Sequence, residues 1–287
     1  MTVTGAGYFV AGAERSSAVL KHDNWPSAEL ALSASRRQDG TCFIMHGNLA
    51  DAYLKTARAK YHLDSLRDEL AVFYDSEPYR FLRQDDAERQ RHRLIFQVRA
   101  IPDQIWLIAG DFLYCLRASL DHLVWALARL TTDSPSRRTQ FPILNQVNDK
   151  HFERQTRGVP PEAATIIKDL QPYHRGDAIS IRSHQLWQLG ELSNLDKHRR
   201  IPLNGVISDF QWPLPSHLLG VVEFDHQQHM IGVPIEFKEK LPGDPAVTLK
   251  IIFGDPACGL DCDFDGMEQM YKFVAENVLP RFARFFK

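Results

Sequence analysis

Cysteine and long apolar runs are both scarce in this sequence. Its 287 residues include four cysteines, at positions 42, 115, 258 and 262. Widely spaced cysteines, one of them within an apolar helical stretch, are typical of free thiols in a reducing compartment. No apolar run approaches the ~20 residues of a membrane-spanning helix, and the first residues lack the charged and apolar regions of a secretory signal. We therefore expect a soluble cytoplasmic protein without a membrane partner.

Neither sign of charge is in excess. The chain has 34 Lys and Arg residues and 36 Asp and Glu residues, which give a formal net charge of -2. Such a chain has no overall basic field to hold nucleic acid through its phosphates, so any contact with RNA or DNA is expected to be local. Hydrophobic residues make up 44% of the chain, which is enough for the core of one large domain or two small ones.

Motifs for metals and cofactors are missing. The run 261–266 imitates the start of a calcium loop, but its twelfth position is Lys272 rather than the required Glu. Cys258 and Cys262 have a metal-like spacing without a second pair, which does not favour zinc. There is no Walker loop, dinucleotide fingerprint or nucleophile elbow. We expect no metal and no cofactor.

Helical periodicity dominates the first two-thirds of the chain, where apolar residues recur at steps of three and four. The predicted helices are 48–74, 102–130, 161–170 and 179–198. A charged segment from Arg80 to Arg93 leads to Pro102, which suits the first turn of the second helix. Residues 1–42 have no sustained periodicity, so we expect a poorly ordered or variable extension there.

A different pattern begins after Pro202. Short β-rich runs at 218–224, 230–237 and 247–253 predict an antiparallel meander. A closing helix is predicted from Asp265 to Phe286, with Asp265 and Glu268 as its capping box. We therefore predict an α+β chain that is mainly α, with a helical bundle at 43–200 and a β-meander plus closing helix at 201–287.

The helix predicted after Pro102 has a polar and aromatic arc opposite its leucines. The arc contains Tyr114, Arg117, Asp121, His122 and Trp125. Arg117 and Asp121 are four residues apart, so on a solvated face they would form an ion pair worth ~0.2–0.5 kcal/mol. Large aromatic side chains are seldom left on such a face, so we also expect another element to cover the arc and bury its charges in part.

The last predicted helix of the bundle has a stripe that is neither apolar enough for a core nor charged enough for a free surface. The stripe consists of His184, Trp187, Glu191, Asn194 and His198. It predicts a lined cleft or a polar network between helices. The basic residues at the end of this helix also suit the negative end of its dipole, which is an ordinary capping role.

We hypothesise that the two polar faces meet, with Arg117, Asp121 and His122 near Asn194 and His198. The candidate catalytic residues are Arg117, Asp121 and His122. The candidate binding residues are Tyr114, Trp125, Glu191, Asn194, Asp196, Lys197 and His198.

Arg117 and His122 form an Arg-x4-His motif, which resembles the Arg-x4–6-His motif of the HEPN superfamily. The phrases Leu-Arg-Ala-Ser-Leu-Asp-His-Leu-Val, Phe-Pro-Ile, Leu-Gln-Pro-Tyr and Asn-x-Asp-Lys-His-Arg, within about residues 45–205, also resemble a group of bacterial proteins of no established function. Many HEPN proteins are metal-independent ribonucleases of toxin–antitoxin and phage-defence systems, often with a site completed across a homodimer. The resemblance implies that His122 moves a proton at the ribose while Arg117 stabilises the phosphorane charge. Those enzymes commonly have a polar residue directly after the Arg, where this chain has Ala118.

Three functions stay open at the level of sequence. One is a ribonuclease that acts on RNA, another is a non-catalytic module that binds a nucleotide, a small anion or a protein partner, and the third is a buried structural network. Arg117 and His122 lie about 140° apart around an ideal helix, so acting on one phosphate would require a second helix or a partner subunit. The resemblance to the HEPN superfamily implies a homodimer as the expected assembly.

Overall fold

The computed structural model describes residues 49–218, 220–225 and 230–286. Over these residues the chain is an α+β fold made mostly of helix, with small antiparallel sheets. The helices are α1 (Ala50–Asp75), α2 (Asp103–Arg129), α3 (Asp149–Gln155), α4 (Pro161–Asp169), α5 (Ala178–Arg182), α6 (Gln185–His198) and α7 (Phe264–Lys272). The strands are β1 (Tyr79–Asp86), β2 (Arg91–Val98), β3 (Leu203–Gln211), β4 (Glu223–Asp225), β5 (Met230–Pro234) and β6 (Ala246–Phe253). The predicted extension at 1–42 lies outside the described residues.

Three predicted helices are confirmed as α1, α2 and α4, but the prediction of one helix over 179–198 is wrong. The chain forms two helices there, α5 and α6. His184 adopts an extended backbone conformation between them, and its Nδ1 accepts a hydrogen bond from Leu186 N at 3.1 Å. His184 is therefore the N-cap of α6 and not a member of its face, because this bond satisfies an N–H group that the first turn leaves unpaired.

The charged segment from Arg80 to Arg93 is mainly a β-hairpin, which the sequence analysis did not identify. Strands β1 and β2 pair antiparallel, with Tyr79 opposite Val98 and Asp86 opposite Arg91. Alternate residues of β2 are buried, as in a half-buried strand. One of the buried positions is His92, and its neighbours are arginines, so the usual apolar alternation is weak.

The described residues pack into two units, and each unit is discontinuous in sequence. The first contains residues 68–105 and 203–252. Its strands form a four-stranded sheet in the order β1-β2-β5-β4, over a core of Leu94, Trp212, Ile231 and Val233. Strand β6 pairs with β3 instead of β5, so the predicted three-stranded meander does not form. The reason is that β2 and β4 occupy both edges of β5.

The described part of the second unit contains residues 49–67, 106–202 and 253–286. The leucine face of α2 forms its core, as predicted. Its fully buried side chains include Leu63, Leu66, Phe112, Leu113, Leu116, Leu120, Leu123, Phe141 and Phe282. Burying one such side chain stabilises a fold by about 1.5–3 kcal/mol. The predicted domains, 43–200 and 201–287, are each continuous, whereas each packing unit draws on segments from both.

The capping box predicted at Asp265 and Glu268 is wrong. Helix α7 begins one residue earlier, at Phe264, and the carboxylate of Asp263 accepts the hydrogen bond from Gly266 N at 2.9 Å. Glu268 instead pairs with Arg67, which also bonds Asp64 at 2.8 Å.

In the parts of the chain that the structure describes, none of the helices is long and apolar enough to cross a membrane.

Candidate functional site

The segment Phe141–Leu144 of the second unit forms its backbone hydrogen bonds with side chains. Arg117 Nη2 donates to Phe141 O at 2.6 Å, and Phe141 N donates to Asp121 Oδ1 at 2.9 Å. Farther along, Leu144 N donates to Gln171 Oε1 at 2.9 Å, while Gln171 Nε2 donates to the carbonyl of Pro142 at 3.0 Å. The buried backbone of this loop is thereby satisfied without a neighbouring strand.

Arg117 and Asp121 also pair with each other across one turn of α2. The guanidinium Nη2 and the carboxylate Oδ1 are 3.1 Å apart, and the Arg117 side chain is only 14% exposed. Burial lowers the pKa of Arg117, and the Asp121 carboxylate opposes that shift. The predicted ion pair is confirmed, but it does not lie on an open face. Together the two side chains hold both polar groups of the Phe141 backbone.

The same two side chains line a cleft of about 330 Å³ within the second unit. We call it the cleft below. It is lined by Arg117, Asp121, Gln140, Ile143, Asn145, Gln155, Trp187, Gly190, Glu191, Ser193, Asn194 and Lys197. Its two cations are balanced by two carboxylates, so the cleft has no net charge.

Two residues that line the cleft each have a buried polar atom without a partner among the described residues. The two atoms are Arg117 Nη1 and Gln155 Oε1. The first is a hydrogen-bond donor and the second an acceptor. Because a buried polar group left unpaired costs about 1–3 kcal/mol, these atoms call for water or a ligand. A ligand that satisfies both must have an acceptor and a donor.

The cleft brings together residues from both of the polar faces that were predicted from the sequence. They are Arg117, Asp121, Glu191, Asn194 and Lys197. His122 and His198 are not among the residues that line it, and their part in the hypothesis stays a prediction. His122 lies about 100° around α2 from Asp121, and His198 is the exposed last residue of α6.

Tyr114 and Trp125 were expected to be covered, but both are exposed. Their exposed fractions are 59% and 42%. Tyr114 has Lys55 Nζ over its ring, 5.3 Å from the centroid, which is a cation–π contact at the surface. The arc is covered at Arg117 and Asp121, where the Phe141 loop buries the two charges in part as expected, but it is open at the two aromatic side chains.

Asp196 packs against α2 instead of lining the cleft. A Cβ atom built on Gly110 would lie 2.6 Å from Asp196 Oδ1, so the carboxylate occupies the space above that glycine. Burial raises the pKa of Asp196, and the nearby Asp111 carboxylate adds to the shift. Gly110 and Asp196 thus form a close contact between α2 and α6, the two helices that support the cleft.

Sequence reasoning missed three amide side chains of the cleft, Gln140, Asn145 and Gln155. Gln140 N donates to Gln155 O at 3.1 Å, which ties the loop to the end of α3. The Phe-Pro-Ile phrase was the available signal, since two of these amides flank it. Within the described ranges, no group of three His, Cys, Asp or Glu side chains could hold a metal ion.

Comparison with protein-family models, curated proteins and solved structures finds no match to this chain. The resemblance to the HEPN superfamily therefore stays a prediction. Residues of the four phrases named above nevertheless converge. Arg117 and Asp121 bond the Phe-Pro-Ile loop, Gln171 bonds it farther along, and Asn194 and Lys197 line the cleft.

Proposed function

We propose that the cleft binds a small polar molecule without converting it. The observation that carries this proposal is the state of Arg117, whose Nη2 bonds Phe141 while its buried Nη1 has no partner among the described residues. A guanidinium held in this way is already oriented, so a ligand oxygen would gain a directed, charge-assisted hydrogen bond at little entropic cost.

The lining of the cleft indicates the class of ligand. Its balanced charge does not favour a highly charged anion. Arg117 offers a donor, Gln155 offers an acceptor, and Trp187 is an aromatic side chain of the lining. A volume of about 330 Å³ is at the small end of ligand sites. A nucleoside, which has a planar base with donors and acceptors on its edge, has these properties.

Isothermal titration calorimetry of the full chain with adenosine, guanosine, cytidine and uridine tests the proposal. We expect one of them to bind with 1:1 stoichiometry and Arg117→Lys to weaken binding about tenfold or more. Lysine keeps the charge beside Asp121 but has a single nitrogen, so it lacks the planar fork with which arginine can bond Phe141 and a ligand together. Arg137→Gln, an exposed change outside the cleft, is the control. No binding of any of the four, or equal affinity in Arg117→Lys, would contradict the proposal.

Cleavage of RNA stays a prediction of the resemblance. It requires Arg117 and His122 to act on one phosphate, yet Arg117 already bonds Phe141 and Asp121, and His122 does not line the cleft. These observations favour binding over cleavage. Incubating RNA with the protein in EDTA checks this, since cleavage that disappears in both Arg117→Ala and His122→Ala would replace the binding proposal with the nuclease.

A further inference from the structure

A second cavity of the same unit, with a volume of about 650 Å³, shares no lining residue with the cleft. We call it the basic concavity. It is lined by Ser136, Arg138, Asn148, Lys150, His151, Glu153, Arg154 and Arg157. Four permanent cations and one carboxylate thus surround it, in a chain whose formal net charge is -2.

The cations of the basic concavity outnumber Glu153, the carboxylate of its lining. Arg138, Lys150, Arg154 and Arg157 are all exposed. Over the part of the chain that the structure describes, none of the four forms a salt bridge, and Arg154 Nη2 instead bonds His151 Nδ1 at 2.8 Å. A surplus of positive charge around one cavity favours the uptake of an anionic ligand.

Local structure holds these cations on one surface. Lys150 and Arg154 are four residues apart on α3, which brings them to one side of the helix, and Arg157 lies in the turn that follows it. Asn148 caps α3 through a bond from His151 N at 3.0 Å. The 136–140 loop, which supplies Arg138, is attached to α3 by the Gln140 N bond to Gln155 O.

We propose that the basic concavity binds a run of linked phosphates. Arginine side chains match phosphate oxygens in geometry as well as charge. Apart from the imidazole of His151 the lining has no aromatic ring, so it offers phosphate contacts and little base stacking. Two sources share this chemistry, the backbone of single-stranded nucleic acid and a short polyphosphate. The proposal does not depend on what the cleft binds.

Fluorescence anisotropy of the full chain with a labelled single-stranded RNA of about 12 nucleotides, in low salt with EDTA, tests the first source. We expect Arg154→Gln/Arg157→Gln to weaken binding about tenfold or more for any RNA sequence, since each lost phosphate contact acts independently of the base. Arg138→Gln and Arg137→Gln form a matched pair. The first should weaken binding and the second should not, because Arg137 does not line the concavity.

Calorimetry with inorganic tripolyphosphate tests the second source. Tripolyphosphate binding that is weakened by Arg154→Gln/Arg157→Gln, without RNA binding, identifies a small polyphosphate as the ligand. Failure of both probes to bind, or unchanged affinity in the double variant, overturns the proposal. Arg117→Lys should leave both measurements unchanged, so failure here is distinct from failure of the cleft proposal. Because Arg138, Arg154 and Arg157 are exposed, circular dichroism should find the fold intact in the variants of the concavity.

Discussion

The cleft and the basic concavity lie in one packing unit but use arginine in different ways. Arg117 in the cleft is 14% exposed and bonded to Phe141 and Asp121. Arg154 and Arg157 in the concavity are exposed and have no salt bridge within the described residues. A buried, paired arginine supports the fold and directs one hydrogen bond, whereas exposed cations contribute little stability but create a field. The difference separates recognition by geometry from recognition by charge.

The largest effect expected from this comparison is on stability. Arg117→Ala should lower the free energy of unfolding on the order of 3 kcal/mol, because it leaves the buried Phe141 carbonyl without its donor and the half-buried Asp121 without its counter-charge. Urea denaturation followed by circular dichroism measures the change. Arg157→Ala, the matched change in the concavity, should stay within about 0.5 kcal/mol of the parent. Similar losses in the two variants would mean that the buried and the exposed arginine contribute equally to stability.

A second prediction concerns pH and the helix that supports the cleft. Burial, together with the charge of Arg175, lowers the pKa of His184 from 6.5 to about 4. Because the pKa of His184 is lower in the folded protein, acid protonates the unfolded chain first and favours unfolding. The stability that the neutral imidazole contributes is complete above pH 6.5 and is lost as the pH falls from 6.5 towards 4. Urea titrations at successive pH values should find a loss on the order of 2 kcal/mol.

His184→Asn is the control for this pH dependence. Asparagine is a good N-cap but does not titrate, so α6 should keep its first turn while the stability curve becomes flatter between neutral and acid pH. Nucleoside binding in the cleft should become less sensitive to acid in the same variant. An identical pH dependence in parent and variant would exclude His184 as the group responsible.

The third prediction is that salt changes the binding affinity of the two cavities by different amounts. If about three phosphates are bound in the basic concavity, raising the salt from about 50 to 200 mM should weaken RNA binding on the order of tenfold, through counterion release. Nucleoside binding in the charge-balanced cleft should change little, because no net charge is neutralised there. Titrations of both ligands at several salt concentrations measure this. Equal salt slopes would mean that charge governs both cavities.

The smallest expected effect is at the contact between α2 and α6. In an Asp196→Ala background, Gly110→Ala should stabilise the protein by about 1 kcal/mol through helix propensity. With Asp196 present the gain should be lost, because the new methyl group would lie 2.6 Å from its Oδ1. A double-mutant cycle measured by urea denaturation gives the coupling energy. A coupling near zero would mean that Asp196 moves away at no cost.

The features of the cleft that were predictable are those with a short-range pattern. The core face of α2 follows from leucines at helical spacing, and the ion pair follows from Arg117 and Asp121 being four residues apart. The meeting of the two polar faces was also predictable in part, since neither suits a core or a free surface. The role of His184 as an N-cap was not predictable, because a residue just before a helix can have the same three- or four-residue spacing as the residues of the helix face.

Other features depend on pairings that no local pattern contains. Strand β2 pairs with β5, from far along the chain, and its buried positions include His92 among arginines. Gln140 and Gln155 enter the cleft through tertiary contacts, and isolated amides have no periodic signal. The basic concavity joins a loop to a helix of seven residues, which the spacing did not predict.

The discontinuous packing units have a consequence for synthesis of the chain. Arg67 bonds Glu268, which follows it by 201 residues. At about 5–20 residues per second, a ribosome takes on the order of 10–40 s to produce that partner. During this time Leu63 and Leu66, fully buried in the folded protein, belong to a core that cannot yet be completed. Helix α1 of the nascent chain therefore keeps apolar side chains without their final partners until the distant segment has been made.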